Sequence, residues 1–275
     1  MSDNLYQHRI SGFNQPDFSF IFKDFNYGKH IEVLGGIGTG KTNFIIWFLS
    51  KTDKRVIVFN PLGLVEYNLF CQIVLTEKDI IKAGSIQKYI DAGYEKISIT
   101  FTEEFLGNDL DLLRRFFDDY IAKAIFMYED KLYTQYQEYK GLKKNVDFKR
   151  RAHLILLIDE LLYVCDGEKM LPYHRNILFS GRNHGISHIG LTQRNQHISK
   201  LITTQSYMKI IFRLDQYDIN ALKDKIKGVD VVDNLKDYHF MVTKGNHNPE
   251  FFTPIPNMMH SDTMIKRYKE GIKNE

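Results

Sequence analysis

A glycine-rich segment, Gly35–Thr42, constrains this chain more than any other feature of the sequence. It reads GGIGTGKT and matches the pattern GxxxxGK[ST], in which glycines allow backbone N–H groups to approach phosphate oxygens. An apolar run precedes the segment, and a helical pattern from Lys41 to Ser50 follows it, which is the context that this motif requires. The start of a helix adds a dipole that favours negative charge. The segment therefore predicts a site for a nucleoside triphosphate.

The residue types of this segment indicate individual roles. Lys41 is expected to reach the β- and γ-phosphates and to act in catalysis, and Thr42 to offer its hydroxyl to Mg²⁺. The tetrad NKxD, which reads guanine, is absent, so we expect ATP and Mg²⁺ as cofactors. The nucleotide-binding residues are predicted to be Gly35, Gly36, Ile37, Gly38, Thr39, Gly40, Lys41, Thr42 and Asn43.

A second motif is an apolar run, Leu154–Ile158, that ends in two carboxylates, Asp159 and Glu160. Taken alone, an acidic residue at the end of a strand often only caps the next helix. Next to a phosphate-binding loop, Asp159 is predicted to hold the Mg²⁺ shell and Glu160 to orient or deprotonate the attacking water. The pair favours hydrolysis over phosphoryl transfer to a small acceptor.

A third motif is the segment SGRNHGISHIGLTQR, which spans Ser180 to Arg194. A helix that begins at Pro172 is predicted to end near Gly181 or Gly185, and a strand at Ile186–Leu191 follows it. Because ligands bind at the carboxyl ends of strands in open α/β sheets, Gln193 is predicted to face the γ-phosphate beside Glu160. A solvent-exposed amide is the alternative interpretation of Gln193.

Short apolar runs alternate with helical patterns along the chain, which is typical of an α/β fold with a mainly parallel sheet. An amphipathic stretch from Asp109 to Tyr139 predicts a long helix, capped by Asn108 or Asp109, with one buried face. Tyr238–Thr243 and Glu250–Thr253 predict a C-terminal β-hairpin. The predicted strands are Ile31–Leu34, Arg55–Phe59, Cys71–Leu75, Lys96–Phe101, Leu154–Ile158, Ile186–Leu191 and Tyr207–Phe212. The residues predicted to form the buried face of the helix are Leu113, Phe116, Phe117, Tyr120, Ala124, Met127 and Leu132.

Composition excludes several classes of protein. With 43% hydrophobic and 26% charged residues and a net charge of +3, the chain is expected to be globular and soluble. Two cysteines without CxxC spacing argue against a disulfide scaffold or a structural zinc site. No apolar run approaches the roughly 20 residues of a membrane helix. The N-terminus lacks the pattern of a secretory signal.

The order of the three motifs resembles the FtsK–HerA superfamily of DNA-pumping ATPases. The likeness runs from about Lys29 to Phe212, and the segment GRNHGISHIGLTQRNQHISKLI is its most discriminating part. It is similar in particular to the short genome-packaging ATPases of membrane-containing and related viruses. The resemblance implies a RecA-like P-loop NTPase core flanked by helices, in a ring that is usually a hexamer around DNA. At the position of the family's arginine finger this chain has Arg182, and Arg175 is a weaker candidate.

The resemblance also gives expectations about domains and partners. We expect an N-terminal extension at residues 1–28, a RecA-like ATPase domain at 29–255 with a helical segment at about 105–145, and a tail at 256–275. The most basic window, Lys140–Arg151, is a candidate for sequence-independent DNA contacts, with a solvated loop as the equal alternative. Its candidate residues are Lys143, Lys144, Lys149, Arg150 and Arg151.

The function expected from these features is an ATP-driven DNA translocase, in particular a viral genome-packaging ATPase that works in the host cytoplasm or with the virion. Capsid or portal vertex proteins would then be partners. Alternatives are a Zot-like morphogenesis ATPase of filamentous phages, a conjugation-type ATPase and a non-hydrolysing scaffold. A P-loop small-molecule kinase would need an arginine-rich lid, which the sequence lacks. The chain departs from cellular relatives at Asn60, where an aspartate is common, although Glu66 is nearby.

Overall fold

One sheet organises the part of the chain that the computed structural model describes, namely residues 29–107, 109–128, 154–165, 167, 169–194, 198–245, 247–255 and 258. Its strands are β1 His30–Leu34, β2 Arg55–Phe59, β3 Ile73–Leu75, β4 Lys96–Ile99, β5 Leu154–Ile158, β6 Ile186–Thr192, β7 Ser206–Ile211, β8 Phe240–Lys244 and β9 Glu250–Phe252. The α-helices are α1 Lys41–Lys51, α2 Val65–Asn68, α3 Glu77–Ala83, α4 Gln87–Asp91, α5 Glu103–Leu106, α6 Leu110–Phe116, α7 Pro172–Ser180, α8 Lys200–Gln205 and α9 Gln216–Leu222. Short 3₁₀ segments cover Leu161–Tyr163, Gly181–His184 and Val229–Asn234.

The order of strands across the sheet is β3-β4-β2-β5-β6-β1-β7-β8-β9. Pairs among β1 to β7 are parallel, whereas β8 pairs antiparallel with both β7 and β9. Within β1, Val33 lies beside Leu191 of β6 and Ile210 of β7. The predicted α/β P-loop fold, with its mainly parallel sheet and C-terminal hairpin, is confirmed.

The central strands are buried on both faces, which explains their continuous apolar runs. Every residue of β1, β5 and β6 is buried. Helix α1 covers one face, and it is buried from Asn43 to Leu49 because its sequence, KTNFIIWFLSK, is apolar on nearly every side. Helices α3, α4, α6 and α7 cover β2, β4 and β5 on the other face, and α9 covers β7 and β8 there. The sheet is therefore packed between helices on both faces.

The amphipathic helix differs from its prediction at one turn. Asp109 caps α6 by accepting a hydrogen bond from the backbone N–H of Asp111, as the sequence predicts. A π-helical turn, Phe117–Ala122, then follows, and its wider turn advances the later side chains around the axis. Ile125 is consequently fully buried, whereas Met127, predicted to lie on the buried face, is 56% exposed. Leu113, Phe116, Phe117 and Ala124 are buried as predicted.

Several predicted features lie outside the described residues. They are the alternative cap Asn108, the helix beyond residue 128, almost all of the tail, and the extension at 1–28. The basic window with Lys143, Lys144, Lys149, Arg150 and Arg151 also lies outside them. Among the helices that the structure does describe, none is long and apolar enough to cross a membrane. Cys71 and Cys165 are free thiols.

Candidate nucleotide-binding site

Three of the sequence motifs meet at the carboxyl edge of the sheet. The glycine-rich loop follows β1, Asp159 and Glu160 follow β5, and Gln193 follows β6. These strands are parallel and adjacent in the order β5-β6-β1, so their last residues lie side by side. The topology therefore brings Lys41, Glu160 and Gln193 to one place.

The loop is held by contacts within itself and with the end of β7. The N–H of Gly36 donates to the carbonyl oxygen of Arg213 at 3.0 Å, and the Thr39 hydroxyl donates to the carbonyl oxygen of Gly36 at 2.8 Å. Gly40 has a φ of 118°, a conformation that favours glycine, and a Cβ there would come within 3.0 Å of the Tyr238 ring. The conformation of the loop and its crowding both require glycine at this position.

The Lys41 ammonium lies inside the loop. Its Nζ donates to the carbonyl oxygens of Gly35 at 2.5 Å and Gly36 at 2.8 Å. Burial lowers the pKa of Lys41 to about 8, and the carboxylates of Glu160 and Asp159 act in the opposite direction. Lys41 is therefore protonated at pH 7 and lies within electrostatic reach of both acids.

Asp159 shares a buried hydroxyl with Thr42. The Tyr67 hydroxyl donates to Asp159 Oδ1 at 3.3 Å and also forms a hydrogen bond with the Thr42 side chain. Tyr67 is completely buried. Burial and then the charge of Glu160 raise the pKa of Asp159 to about 6. The two residues predicted to serve Mg²⁺ are thus joined through one phenol.

The oxygen atoms here fit a magnesium ion. Asp159 Oδ2 is buried and has no hydrogen-bond partner among the described residues. The hydroxyl of Thr42 and this carboxylate oxygen are hard ligands of the kind that Mg²⁺ takes, usually alongside phosphate oxygens and water. Thr42 and Asp159 are therefore the residues that would hold the ion.

Glu160 is held in an unusual conformation. Its φ of 66° lies in the left-handed region, which non-glycine residues seldom adopt. Its Oε1 lies 3.3 Å from the Thr192 hydroxyl, and the N–H groups of Leu162 and Gln193 donate to the same carboxylate. Burial raises its pKa, against these hydrogen bonds and Lys41. Backbone strain fixed by surrounding contacts is typical of functional sites.

The backbone N–H of Gln193 contacts Glu160, and the side chain of Gln193 is partly exposed. Asn43, predicted to bind nucleotide, directs its side chain elsewhere. Its Oδ1 accepts a hydrogen bond from the N–H of Met258 at 2.7 Å, so this amide holds the segment after β9. Asn43 could therefore contact a nucleotide only through its backbone N–H, which lies in the first turn of α1.

Tyr67 is a site residue that sequence reasoning missed. Asn60 is fully buried and exchanges hydrogen bonds with the backbone of Leu64, at 2.9 Å to its N–H and 3.0 Å to its carbonyl oxygen. These contacts shape the turn after β2 and place α2, with Tyr67, beside the site. Asn60 is thus a structural residue here, and the negative charge of Glu66 acts on Tyr67.

Arg182 lies at the other edge of the sheet. It belongs to the 3₁₀ turn Gly181–His184 that precedes β6, and its side chain is exposed. Burial and, to a lesser extent, the nearby charge of Arg182 lower the pKa of His30, at the start of β1, to about 4. Since a five-residue strand spans about 17 Å, Arg182 does not reach the glycine-rich loop of the same chain. Arg175 lies on α7 with its guanidinium 5.4 Å from the Phe179 ring.

Comparison with known proteins identifies the fold. No protein-family model and no curated protein sequence matches the chain. A similar solved structure is the genome packaging NTPase B204 from Sulfolobus turreted icosahedral virus 2 with AMPPCP, at 18% identity and a TM-score of 0.58, covering 82% of this chain and 98% of that one. The bacterial conjugative coupling protein TrwB gives 11% identity and a TM-score of 0.57, covering 85% and 87%. The pCW3 conjugation coupling protein TcpA with ATPγS gives 16% and 0.52, covering 90% and 66%. The chain shares the fold of these solved structures, a genome packaging NTPase and two conjugation coupling proteins.

Proposed function

We propose that the chain is an ATP hydrolase that drives DNA translocation, and in particular a motor that packages a viral genome into a capsid. The observation that carries the proposal is the convergence of Lys41, Asp159 and Glu160 at the carboxyl edge of the sheet. The fold supports the finer assignment, because it matches almost the whole length of a packaging NTPase. Its cofactors would be ATP and Mg²⁺.

Each residue of the site has a separate role in the proposed hydrolysis of ATP. The loop N–H groups and the N-terminus of α1 bind the phosphates, and Lys41 exchanges its two carbonyl contacts for phosphate oxygens. Glu160, oriented by Thr192 and by two backbone N–H groups, accepts a proton from the attacking water. Gln193 beside it contacts the γ-phosphate. Bound Mg²⁺, held at Thr42 and Asp159, would neutralise charge on the phosphates.

The position of Arg182 supports a ring. An exposed arginine at the amino edge contributes to catalysis only at the site of a neighbouring subunit, where an arginine finger is worth a factor of 10³–10⁵ in rate. The ring is proposed to be a hexamer around DNA, with the window Lys140–Arg151 among the DNA contacts. Capsid or portal proteins are the proposed partners, and the host cytoplasm or the virion the location.

The test is a complementation assay. We expect Glu160→Gln and Arg182→Ala each to abolish DNA-stimulated phosphate release, because one removes the base and the other the finger. When the two variants are mixed in equal amounts, about one quarter of the interfaces combine an intact Glu160 with an intact Arg182 from the neighbouring subunit. The mixture should therefore recover about one quarter of the wild-type activity. Phe179→Ala, a change at an exposed side chain near the finger, is the control and should retain full activity. A monomeric Arg182→Ala protein with wild-type activity would exclude the ring.

A conjugative coupling protein is the second candidate, because TrwB and TcpA share the fold. The two functions differ in the partner that receives the DNA. Crosslinking of the full chain in producing cells separates them, since a packaging motor should be recovered with capsid vertex proteins and a coupling protein with a secretion channel. Recovery with the channel alone would replace the proposed function by this one.

A further inference from the structure

Tyr238 has an unfavourable backbone conformation in a tight turn beside the glycine-rich loop. The turn runs from Lys236 to His239 and is closed by the N–H of His239, which donates to the carbonyl oxygen of Lys236 at 3.1 Å. Tyr238 occupies the third position with a φ of 64°. That position favours glycine or asparagine, because φ is positive there. Because tyrosine is uncommon at such a position, its ring is a candidate for a functional role.

The turn is attached to the loop from two directions. Asp237 forms an ion pair with Arg213 at 2.8 Å, and the carbonyl oxygen of Arg213 accepts the N–H of Gly36. On the other side, Cδ1 of the Tyr238 ring would come within 3.0 Å of a Cβ at Gly40. The ring nevertheless remains open, since Tyr238 is 48% exposed. It therefore presents aromatic surface next to the residue at which α1 begins.

The sheet order decides which end of a nucleotide reaches this surface. Glu160 and Gln193, which act on the terminal phosphate, follow β5 and β6 on one side of β1. Tyr238 directly precedes β8, on the other side of β1 beyond β7. A nucleotide with its γ-phosphate at Glu160 and its β-phosphate over the loop extends its nucleoside away from β5. The nucleoside thus lies toward β7 and β8, where the open ring is.

We propose that the Tyr238 ring is the surface on which the base of the bound nucleotide stacks. The inference rests on the proposed function and adds a base-binding residue that none of the sequence motifs contains. Stacking on an aromatic ring tolerates every base, because each base has a π-face. ATP and GTP should therefore bind with affinities that differ by no more than a few-fold, of the order seen for sequence-tolerant stacking.

The test compares ligands with and without a base. The full chain is titrated with ADP, GDP and inorganic tripolyphosphate, each with Mg²⁺. Tyr238→Ala should weaken ADP and GDP about tenfold, whereas Tyr238→Phe should stay within about twofold of wild type. Tripolyphosphate should bind all variants equally, because it has no base. Tyr217→Ala, at an exposed tyrosine on α9, is the matched control and should bind ADP like wild type.

A glycine variant separates stacking from a structural role. Tyr238→Gly relieves the positive φ, so its melting temperature should equal or exceed that of wild type while its ADP affinity falls. A ring that only supports the turn would lower stability in this variant. Unchanged ADP affinity in Tyr238→Ala, or equal weakening of ADP and tripolyphosphate, overturns the inference. If wild type binds ADP but does not hydrolyse ATP, the proposed function fails, and the effect of Tyr238→Ala on ADP still decides this inference.

Discussion

Glu32 should destabilise the folded protein at neutral and alkaline pH. It lies in the middle of β1 and is 0% exposed. Its Oε1 accepts the Thr203 hydroxyl at 3.1 Å, whereas Oε2 has no hydrogen-bond partner within the described residues. Burial raises the pKa of Glu32 to about 7, although the charge of Lys209 on the neighbouring strand opposes the shift. Lys209 and Thr203 thus offset only part of the burial penalty.

The shift converts into a free energy of unfolding. From the ordinary pKa of 4.5 up to about 7, the folded state binds the proton of Glu32 more tightly than the unfolded chain does, so stability falls as pH rises. Above about pH 7 the loss in the free energy of unfolding no longer changes with pH. A shift of about 2.5 pH units at 1.36 kcal/mol each gives a loss of about 3 kcal/mol. Below pH 4.5 both states are protonated and the loss disappears.

We therefore expect Glu32→Gln to stabilise the protein by about 3 kcal/mol at pH 8 and by less than about 1 kcal/mol at pH 5. The amide oxygen keeps the contact with Thr203 and removes the buried charge. Urea unfolding at the two pH values measures the difference, and a rise in melting temperature of roughly 5–10 °C at pH 8 should accompany it. A variant less stable than wild type at pH 8, or one whose gain is the same at both pH values, would refute the reasoning.

Glu77→Gln is the matched control, because Glu77 is also buried but both of its carboxylate oxygens accept hydrogen bonds. Its two carboxylate oxygens accept the N–H of Thr102 at 3.0 Å and its hydroxyl at 2.5 Å. A glutamine amide accepts through one oxygen only, so this variant should lose about 1 kcal/mol at pH 8. Stabilisation by both variants would point to the net charge of the chain instead of to Glu32.

Three further changes test other contacts. Tyr67→Phe removes the hydroxyl shared by Thr42 and Asp159, so half-maximal ATP hydrolysis should need about tenfold more Mg²⁺ with little change in the melting temperature; an unchanged Mg²⁺ requirement contradicts the role of the phenol. Gly40→Ala brings a Cβ against two aromatic rings at a φ of 118°, so ADP titration should show no binding, and wild-type affinity would be the contrary result. Burial lowers the pKa of His174 to about 3. Between this value and the ordinary pKa of 6.5, only the unfolded state binds the proton, so the free energy of unfolding decreases as the pH is lowered. In His174→Gln, the free energy of unfolding, measured with urea, should decrease between pH 6 and 4 by about 1 kcal/mol less per pH unit than in wild type. An equal slope in the two proteins would exclude His174 as a cause of the acid destabilisation.

Much of the fold follows from local sequence signals. Strands β2 and β5 have the predicted bounds, because each is a continuous apolar run between polar residues. The glycine-rich loop is predictable because the spacing of this motif is set by the phosphate groups that such loops bind. The mainly parallel sheet is predictable from the alternation of short apolar runs with helical patterns. The grouping of Lys41, Asp159 and Glu160 is therefore predictable from the sequence.

The rest depends on contacts that no local pattern encodes. Tyr67 lies 92 residues before Asp159 in sequence and meets it only because β2 and β5 are neighbours. The exposure of Met127 follows from the π-helical turn before it, and a pattern with 3.6 residues per turn does not anticipate that insertion. Tyr238 sits in an unremarkable turn sequence, and its proximity to Gly40 requires the whole sheet.

The charges at the carboxyl edge determine how a nucleotide enters the site. One ammonium, on Lys41, faces two carboxylates, and the charge of Glu160 adds to the burial that raises the pKa of Asp159. A triphosphate adds several negative charges to this excess, so Lys41 alone does not neutralise them. Binding of ATP together with a divalent cation would avoid the repulsion, because Asp159 would hold the cation and Lys41 would exchange its two loop carbonyls for phosphate oxygens. The Lys41 ammonium is thus bound by the carbonyl oxygens of its own loop, and an anionic ligand would replace these oxygens as its partner.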